Sequence, residues 1–337
     1  MFVNAQLPAL RTRWGRPFHL WMTQEFDEKG WFLVQKSISQ GRTHDVTLFI
    51  RDVGGRFALM SKHSYPPGVF RSPSGGVNPG EPFEKGALRE AKEETGLDVE
   101  LQKFLLHVTL DITHDKELAR WETLVFSAAT TDERLAFTDS REVREARWAT
   151  QRQLEEINLK LRETGNGGLL YRAKLTESYL WTLEHPLTLR DAPARDMAKI
   201  EASPAGKDPR VGRVMDHHWW SADVHGLYGG AVGVRRREDC LELLGLNVHP
   251  MFRGRGIGHA LIECAVDQLH QEKVLDSLGP GFSKSARGGL FAIADSTGYF
   301  MPCGFRLARP SQIPPSLAAD VKALGIEESQ VVKFSPA

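Results

Sequence analysis

Runs of Val, Phe, Leu and Ile at Gly30–Gln35, Asp45–Arg51 and Phe57–Ser61 predict strands, the last two joined by the turn Asp52-Val53-Gly54-Gly55. From Tyr65 to Pro82 the pattern gives way to Pro and Gly, which predicts a loop. Helical spacing returns over Phe83–Thr95, with Pro82 at the first turn and Gly96 at the end. Strands are predicted at Phe104–Leu110, Glu122–Ala128 and Ala146–Trp148, then helices at Gln151–Glu163 and Leu169–Leu183. His185-Pro186 marks a boundary. Beyond it the pattern predicts a strand at Leu187–Arg190, a helix at Ala194–Glu201 and a polar, mobile stretch at Ser203–Arg213. Strands at Gly226–Arg235 and Cys240–Val248 lead to a helix opening near Gly256, and Leu290–Ala294 reads as a further strand. The expectation is two α/β or α+β domains, 46–185 and 186–337, preceded by a strand extension over 1–45.

Length supports the division, since 337 residues exceed one ordinary domain. With 41% hydrophobic and 26% charged residues the chain has the composition of a soluble globular protein. Lys+Arg 43 balance Asp+Glu 43, so no global charge points to nucleic acid or an anionic membrane, and a phosphorylated substrate must be held by local devices. Cys240, Cys264 and Cys303 match no metal or disulfide framework, which suits a reducing cytoplasm. In MFVNAQLPALRTRWGR the apolar stretch is too short for a secretory core, and Arg11, Arg13 and Arg16 follow it rather than precede it. No run reaches the length of a membrane span.

The candidate chemistry begins on the helix Phe83–Thr95. At about 100° per residue, Glu90, Glu93 and Glu94 share one face. Like charges so spaced destabilise a helix, and a bound cation would remove the repulsion. Carboxylate oxygens favour Mg²⁺ or Mn²⁺ over softer metals. Held here, such ions would neutralise a diphosphate and acidify an attacking water. Gly75 and Gly76 in the preceding loop allow backbone shapes that other residues resist. Taken alone, the carboxylates could equally be a solvated acidic face.

The longer string decides between these. Gly75, five residues, Glu81, seven residues, then Arg89-Glu90-Ala91-Lys92-Glu93-Glu94-Thr95-Gly96-Leu97 resembles the complete box of the Nudix hydrolases. The resemblance implies an α/β/α sandwich with a mixed sheet over about residues 46–150. It implies metal ligation by Glu90, Glu93 and Glu94, orientation of Glu90 by Arg89, and support from Glu81. Many members add a carboxylate from a later loop, and Glu142 and Glu145 stand where it is expected, with Glu122 a weaker candidate. Substrate markers are sparse: Ile112 and Thr113 occupy the place of the proline found in ADP-ribose-preferring members. LMSKHSYPPGVFRSPSGG resembles a coenzyme A signature without its arginine spacing. The strands expected before Asp45 resemble an extension through which nucleoside-diphosphate-sugar hydrolases dimerise, so a homodimer is an expectation.

A second constellation follows the strand Cys240–Val248. Arg253-Gly254-Arg255-Gly256-Ile257-Gly258 lies at a strand-to-helix turn, where backbone N–H groups and the helix dipole favour an anion. With LGLNVHP before it and HALIECAVDQLHQ after it, the segment resembles the pyrophosphate loop of the GNAT acetyltransferases. That implies a mixed-sheet α/β fold binding acetyl-CoA, with Leu246 and Val248 beside the loop. Glu242, eleven residues before Arg253, has the offset of the general base in histone-type members. The position of the family's acid tyrosine is taken by Phe300, with Tyr299 adjacent. His217, His218 and His225 read as loop or pocket lining, and Trp219-Trp220 as core or interface.

The sequence therefore leads to an enzyme of two domains. The first hydrolyses a nucleoside diphosphate linked to another moiety with Mg²⁺, and the second N-acetylates a small amine or amino acid. The alternative is a second domain that senses CoA without catalysis.

Overall fold

The computed structural model describes residues 2–269 and 289–335, and the chain divides into two compact units, Met1–Glu184 and His185–Ala337. Unit one runs α1 (Phe2–Trp14), β1 (Phe18–Glu25), α2 (Glu28–Ser39), β2 (His44–Arg51), β3 (Phe57–Lys62), β4 (Ser74–Gly76) and α3 (Phe83–Thr95). It continues with β5 (Glu100–His114), β6 (Glu117–Ala129), β7 (Val143–Ala149), α4 (Gln151–Glu163) and α5 (Gly167–Glu184). Its mixed sheet has the order β1-β5-β6-β2-β3-β7, with β4 also paired to β2.

Period-two alternation sets the layers. Val46, Leu48 and Ile50 of β2 join Leu124 and Phe126 of β6 and Phe83, Ala87 and Ala91 of α3 in one buried core. Asp45, Thr47 and Phe49 alternate with them and face the opposite side, where Phe49 stacks on Tyr179 of α5 at 3.7 Å. The ring of Tyr171, also on α5, donates its hydroxyl to Thr123 Oγ1 at 2.7 Å. The active face of α3 is therefore fixed by small residues: Ala87 and Ala91 are both fully buried, which brings that helix close to the sheet.

The first 45 residues correct the expectation of a strand extension. Gly30–Gln35 lies inside α2, whose N-cap Asp27 accepts from Gly30 N at 2.8 Å. Trp31 is buried, with Val34 and Ile38 half-buried, and that 3–4 spacing belongs to a helix rather than a strand. β1 adds parallel to β5, with Phe18 opposite Leu106 and Glu25 opposite Thr113. A further strand, β4, crosses the predicted loop and pairs Gly75 with Val46.

Unit two runs β8 (Leu187–Asp191), α6 (Ala194–Ala202), β9 (His218–Val224), β10 (Leu227–Arg236), β11 (Leu241–Val248) and α7 (Ile257–Leu269). After β12 (Leu290–Ile293) come β13 (Phe305–Leu307), the helix Pro315–Ala323 and β14 (Val331–Phe334). The sheet order is β13-β14-β12-β11-β10-β9-β8. β11 and β12 are parallel and pair only from Leu241 with Leu290 to Leu243 with Ala292. Among the described residues the last five positions of β11 thus lack a ladder on that side. Ser203–Arg213, expected to be mobile, instead contributes Ala205 and Val211 to a buried cluster with Trp219 and Ile200. The apolar residues in that polar stretch are few but well placed. Trp219 and Trp220 are core residues on a strand, β9, that also carries His218. Among the described residues no helix is long and apolar enough to cross a membrane.

A fragment comprising residues 1–184 should be soluble and unfold in urea as one cooperative transition, because its sheet and core are complete within it. An aggregated or non-cooperative fragment would contradict this division.

Candidate functional site

In unit one three of the sequence-predicted carboxylates, Glu81, Glu90 and Glu93, are brought together by a single guanidinium. Arg89 Nε and Nη2 donate to the two oxygens of Glu81 at 3.0 and 2.9 Å. Its Nη1 donates to Glu90 Oε1 at 2.7 Å and Glu93 Oε2 at 3.1 Å, and Nη2 also reaches the Gly76 carbonyl at 3.0 Å. All of the planar fork is used, which a lysine could not reproduce. Glu81 in turn accepts from Asn78 N at 2.9 Å, closing the loop onto the helix. The hydrogen bonds from Arg89 hold the Glu81 carboxyl below its usual range, while the guanidinium itself is held more firmly charged. Burial pushes Glu90 up to about 7, with the charges of Glu94 and Glu93 adding to the effect and Arg89 opposing it.

Gly75 is required by this packing. An ideal Cβ there would lie 1.9 Å from the Glu90 carboxyl carbon, so only hydrogen fits above the carboxylate. Glu94, the most buried of the set, accepts from Ser74 N at 2.7 Å and from Arg71 Nη2 at 3.2 Å. Arg71 is fully buried and staples the loop by donating to Tyr65 Oη, the Ser72 carbonyl and Ser74 Oγ, each at 2.8 Å. Burial works against its charge, but Glu94 and Tyr65 outweigh that and hold it firmly protonated. Lys62 Nζ sits 3.7 Å from Glu94 Oε1 and also pairs with Glu142. Sequence reasoning missed Arg71 and Lys62. Both stand in the stretch read as a coenzyme A-like signature, Lys62 just past a predicted strand and Arg71 in a predicted loop, and an arginine inside a Pro/Gly-rich loop before a glycine pair was the available signal.

The two later candidates separate. Glu142 is tied through Lys62 to the Glu94 end of the cluster, whereas Glu145 is exposed on β7 opposite Ser61. Glu122 lies elsewhere, accepting from or sharing a proton with His107 Nε2 at 2.9 Å. A cavity of about 640 Å³ opens above Ser74, Gly75 and Gly76. Among the described residues no three carboxylate, His or Cys side chains already converge as a metal cage, since Arg89 stands between Glu90 and Glu93. The donor set itself is all oxygen, and the glycine cradle leaves the Glu90 carboxylate close to the cavity. That chemistry fits a hard divalent cation.

In unit two the glycine turn adopts the shape its composition allows: Gly254 has φ +73° and Gly256 has φ +78°, both left-handed. Ile257 opens α7 and is buried, so the first N–H groups of a 13-residue helix face outward beside the turn. Arg253 Nε reaches the Val248 carbonyl at 3.4 Å, and Leu246 and Val248 belong to the end of β11 that pairs with β10 but not with β12. A cavity of about 350 Å³ lies beside that end, its lining including Leu246, Asn247, Asp295, Tyr299, Glu242 and Arg210. An ideal Cβ on Gly258 would lie 2.0 Å from the Tyr299 hydroxyl, so that phenol is held directly against the start of α7. Its ring stacks on His259 at 4.2 Å, and burial pushes its hydroxyl up to about 12. Phe300 is buried against Phe305 instead.

Glu242 has a setting that the sequence did not suggest. It is 2% exposed, and its Oε2 accepts from Arg235 Nη2 and Arg237 Nε, each at 2.7 Å. Both arginines also reach Asp320 on the helix Pro315–Ala323. One oxygen of Glu242 is therefore shared by two arginines, which ties its side chain into an ion-pair network with the helix Pro315–Ala323.

Residues 41–170 match the model of the NUDIX domain, and residues 182–279 match that of the Acetyltransferase (GNAT) family. The chain carries a Nudix domain followed by a GNAT domain. The mixed sheets of the two units are those of the two families. No curated protein matches the chain. Among solved structures the Nudix–GNAT chain is similar to a MutT protein from Methanosarcina mazei Go1, at 21% identity and TM-score 0.28 over 34% of this chain and 80% of that one. A NUDIX-family hydrolase from Clostridium perfringens gives 20%, 0.28, 34% and 85% in the same order. N-acetylglutamate synthase from Neisseria gonorrhoeae, complexed with coenzyme A and N-acetyl-glutamate, gives 20% and 0.34, over 45% of this chain and 35% of that enzyme.

Arg71→Met should destabilise the Nudix unit by about 3–5 kcal/mol, the cost of stranding a buried carboxylate. Urea unfolding of residues 1–184 measures it. A loss below about 1 kcal/mol would mean that Ser74 N and Lys62 satisfy Glu94 without Arg71.

Proposed function

We propose that the Nudix unit hydrolyses a nucleoside diphosphate linked to another moiety, with Mg²⁺ or Mn²⁺ held by Glu90, Glu93 and Glu94. The observation that carries this reading is the gathering of Glu90 and Glu93 by Arg89 and of Glu94 by Arg71 and Ser74 N, with Glu90 directly beneath Gly75, a residue that lines the 640 Å³ cavity. The cation would supply charge neutralisation of the diphosphate and a more acidic attacking water. The chain's own residues do the rest. Arg89 and Glu81 fix the rotamers of Glu90 and Glu93. Arg71 and Ser74 N hold Glu94 in place, and Lys62 and Arg71 supply positive charge at the cavity edge. Glu142, placed beside Lys62, is the better of the two later carboxylates for a supporting role, and Glu145 the weaker.

Glu94→Gln should keep the fold at reduced stability, because Gln is a comparable helix former and still accepts from Ser74 N while Arg71 loses its counter-charge, so activity is compared per folded molecule. Mg²⁺-dependent cleavage of a phosphoanhydride panel should fall by at least about 10²-fold, and chelation of the wild type with EDTA should do the same. Near-normal Mg²⁺-dependent turnover by the variant would remove Glu94 from the ligand set.

For the GNAT unit we propose acetyl-CoA binding at the turn Arg253–Gly258 and the N-terminus of α7, with N-acetylation of a small amine or amino acid as the activity. Backbone N–H groups there suit the pyrophosphate, and the open end of β11, at Leu246 and Val248, suits the extended arm. A second reading, CoA sensing without catalysis, is favoured by one observation: the double arginine clamp on Glu242. Gly256→Glu should abolish acetyl-CoA binding by calorimetry, through strain at φ +78° and through charge. Glu242→Gln separates the readings. As a base its loss lowers free-CoA release on an accepted amine at neutral pH and spares acetyl-CoA affinity. As a clamp partner its loss lowers the unfolding midpoint and leaves turnover per folded molecule unchanged. The clamp predicts the second result.

A further inference from the structure

The cavity of the Nudix unit is not uniform along its length. Its floor is one face of the sheet, to which β4 contributes Gly76, β2 Asp45, β6 Trp121 and β5 Leu110 and Ile112. Asp45 pairs with Gly76 on one side and with Thr123 on the other, and Trp121 pairs with Leu110. Two strand spacings and two residues along β6 separate Gly76 from Trp121, roughly 12 Å at ordinary sheet dimensions. That is the reach of a nucleoside diphosphate from its ring to its outer phosphate.

The two ends differ in chemistry. At Gly75 and Gly76 the lining includes Arg42, Lys62 and Arg71, with the Glu90 carboxylate directly under Gly75. At the far end the lining is Trp121, Leu110 and Ile112 on the floor and Leu33 and Val34 of α2 on the wall. Leu33 is 54% exposed on a helix that buries only Trp31, so it projects into this space without serving the core. Most of the polar side chains nearby are already engaged. Asp45 accepts from Arg172 at 2.7 Å and from Thr123, and Arg172 also donates to Thr47 at 2.9 Å. Asn166 donates to Asp27 and accepts from Leu169 N, both at 3.1 Å. A ring entering here meets mainly the indole of Trp121 and aliphatic side chains, with Lys29 of α2 the charged group beside them.

From this gradient we infer that the far end is a seat for a nucleobase, held by stacking on Trp121 under the wall of α2. It selects for the presence of a base and scarcely for which one. The inference rests on the phosphoanhydride reading for the polarity of the ligand, but the seat is tested by binding alone. Stacking on an aromatic side chain tolerates every base, because each has a π face, and contributes about ten- to a hundredfold in affinity.

The test is calorimetry on the full chain with Mg²⁺, titrating AMP, GMP, CMP, UMP and ribose 5-phosphate. The four nucleotides should bind within about fivefold of one another and each at least about tenfold more tightly than ribose 5-phosphate. Trp121→Leu should abolish that advantage and Trp121→Phe should restore most of it. Leu33→Glu, at a solvent-facing position that spares the fold, should weaken all four nucleotides alike. The proposal fails if ribose 5-phosphate matches the nucleotides, if Trp121→Leu keeps their advantage, or if one base is preferred by more than about fiftyfold, which needs edge recognition. Glu94→Gln protein should retain the base advantage, since binding needs no turnover. An intact, Trp121-dependent advantage in a chain that cleaves no phosphoanhydride would sink the hydrolase reading and leave the seat standing. Cleavage without any base advantage would do the reverse.

Discussion

The Nudix site depends on gathering four carboxylates against their own repulsion. Near a protein surface two like charges about 4 Å apart repel by roughly 4 kcal/mol, so Glu81, Glu90, Glu93 and Glu94 would splay if left to themselves. Two buried or half-buried arginines prevent this. Arg89 spreads one fork over Glu81, Glu90 and Glu93, and Arg71 anchors Glu94 while threading the loop that carries Ser74 and Gly75. The glycine then lets that loop lie on the Glu90 carboxylate. Helix, loop and cavity floor are therefore one object, and substitution of any of these parts should disturb the others.

The GNAT unit solves a different problem. Its sheet opens where β11 and β12 stop pairing after Leu243 and Ala292, and the gap exposes backbone beside the start of α7. Left-handed glycines turn the chain there, and Tyr299 packs on the glycine that opens the helix. Behind the gap, Arg235, Arg237, Glu242 and Asp320 form a closed ion-pair network tying β10 and β11 to the helix Pro315–Ala323. The network braces the strand that opens, which is a sufficient reason for a buried glutamate at that position.

The sequence made legible whatever rests on local rules. The helix Phe83–Thr95 was bounded correctly by Pro82 and Gly96, and the carboxylate face and the glycine turn before α7 could be read from spacing. What could not be read were long-range pairings. Gly30–Gln35 has strand-like composition, and only the Asp27 cap and the single buried Trp31 make it helical. Arg71 and Lys62 were hard to read because their partner, Glu94, lies more than twenty residues away, and the arginine before the glycine pair was the one local signal. Glu242 sat at a suggestive offset, yet its role depends on Arg235 and on Arg237, which comes from beyond a turn. Ser203–Arg213 looked solvated because two buried apolar residues do not stand out among so many polar ones.

The organising role of Arg89 can be tested by a measurement in which charge alone predicts the opposite sign. Mn²⁺ binding to residues 1–184 is followed by electron paramagnetic resonance for the wild type and for Arg89→Met. Removing a cation from a cation site should tighten binding if Arg89 contributed only its charge. If Arg89 instead holds Glu90 and Glu93 in a ligating arrangement, its loss should weaken Mn²⁺ by about 10–100-fold, the usual cost of losing a group that orients metal ligands. Unchanged or tighter Mn²⁺ binding by Arg89→Met would contradict the account.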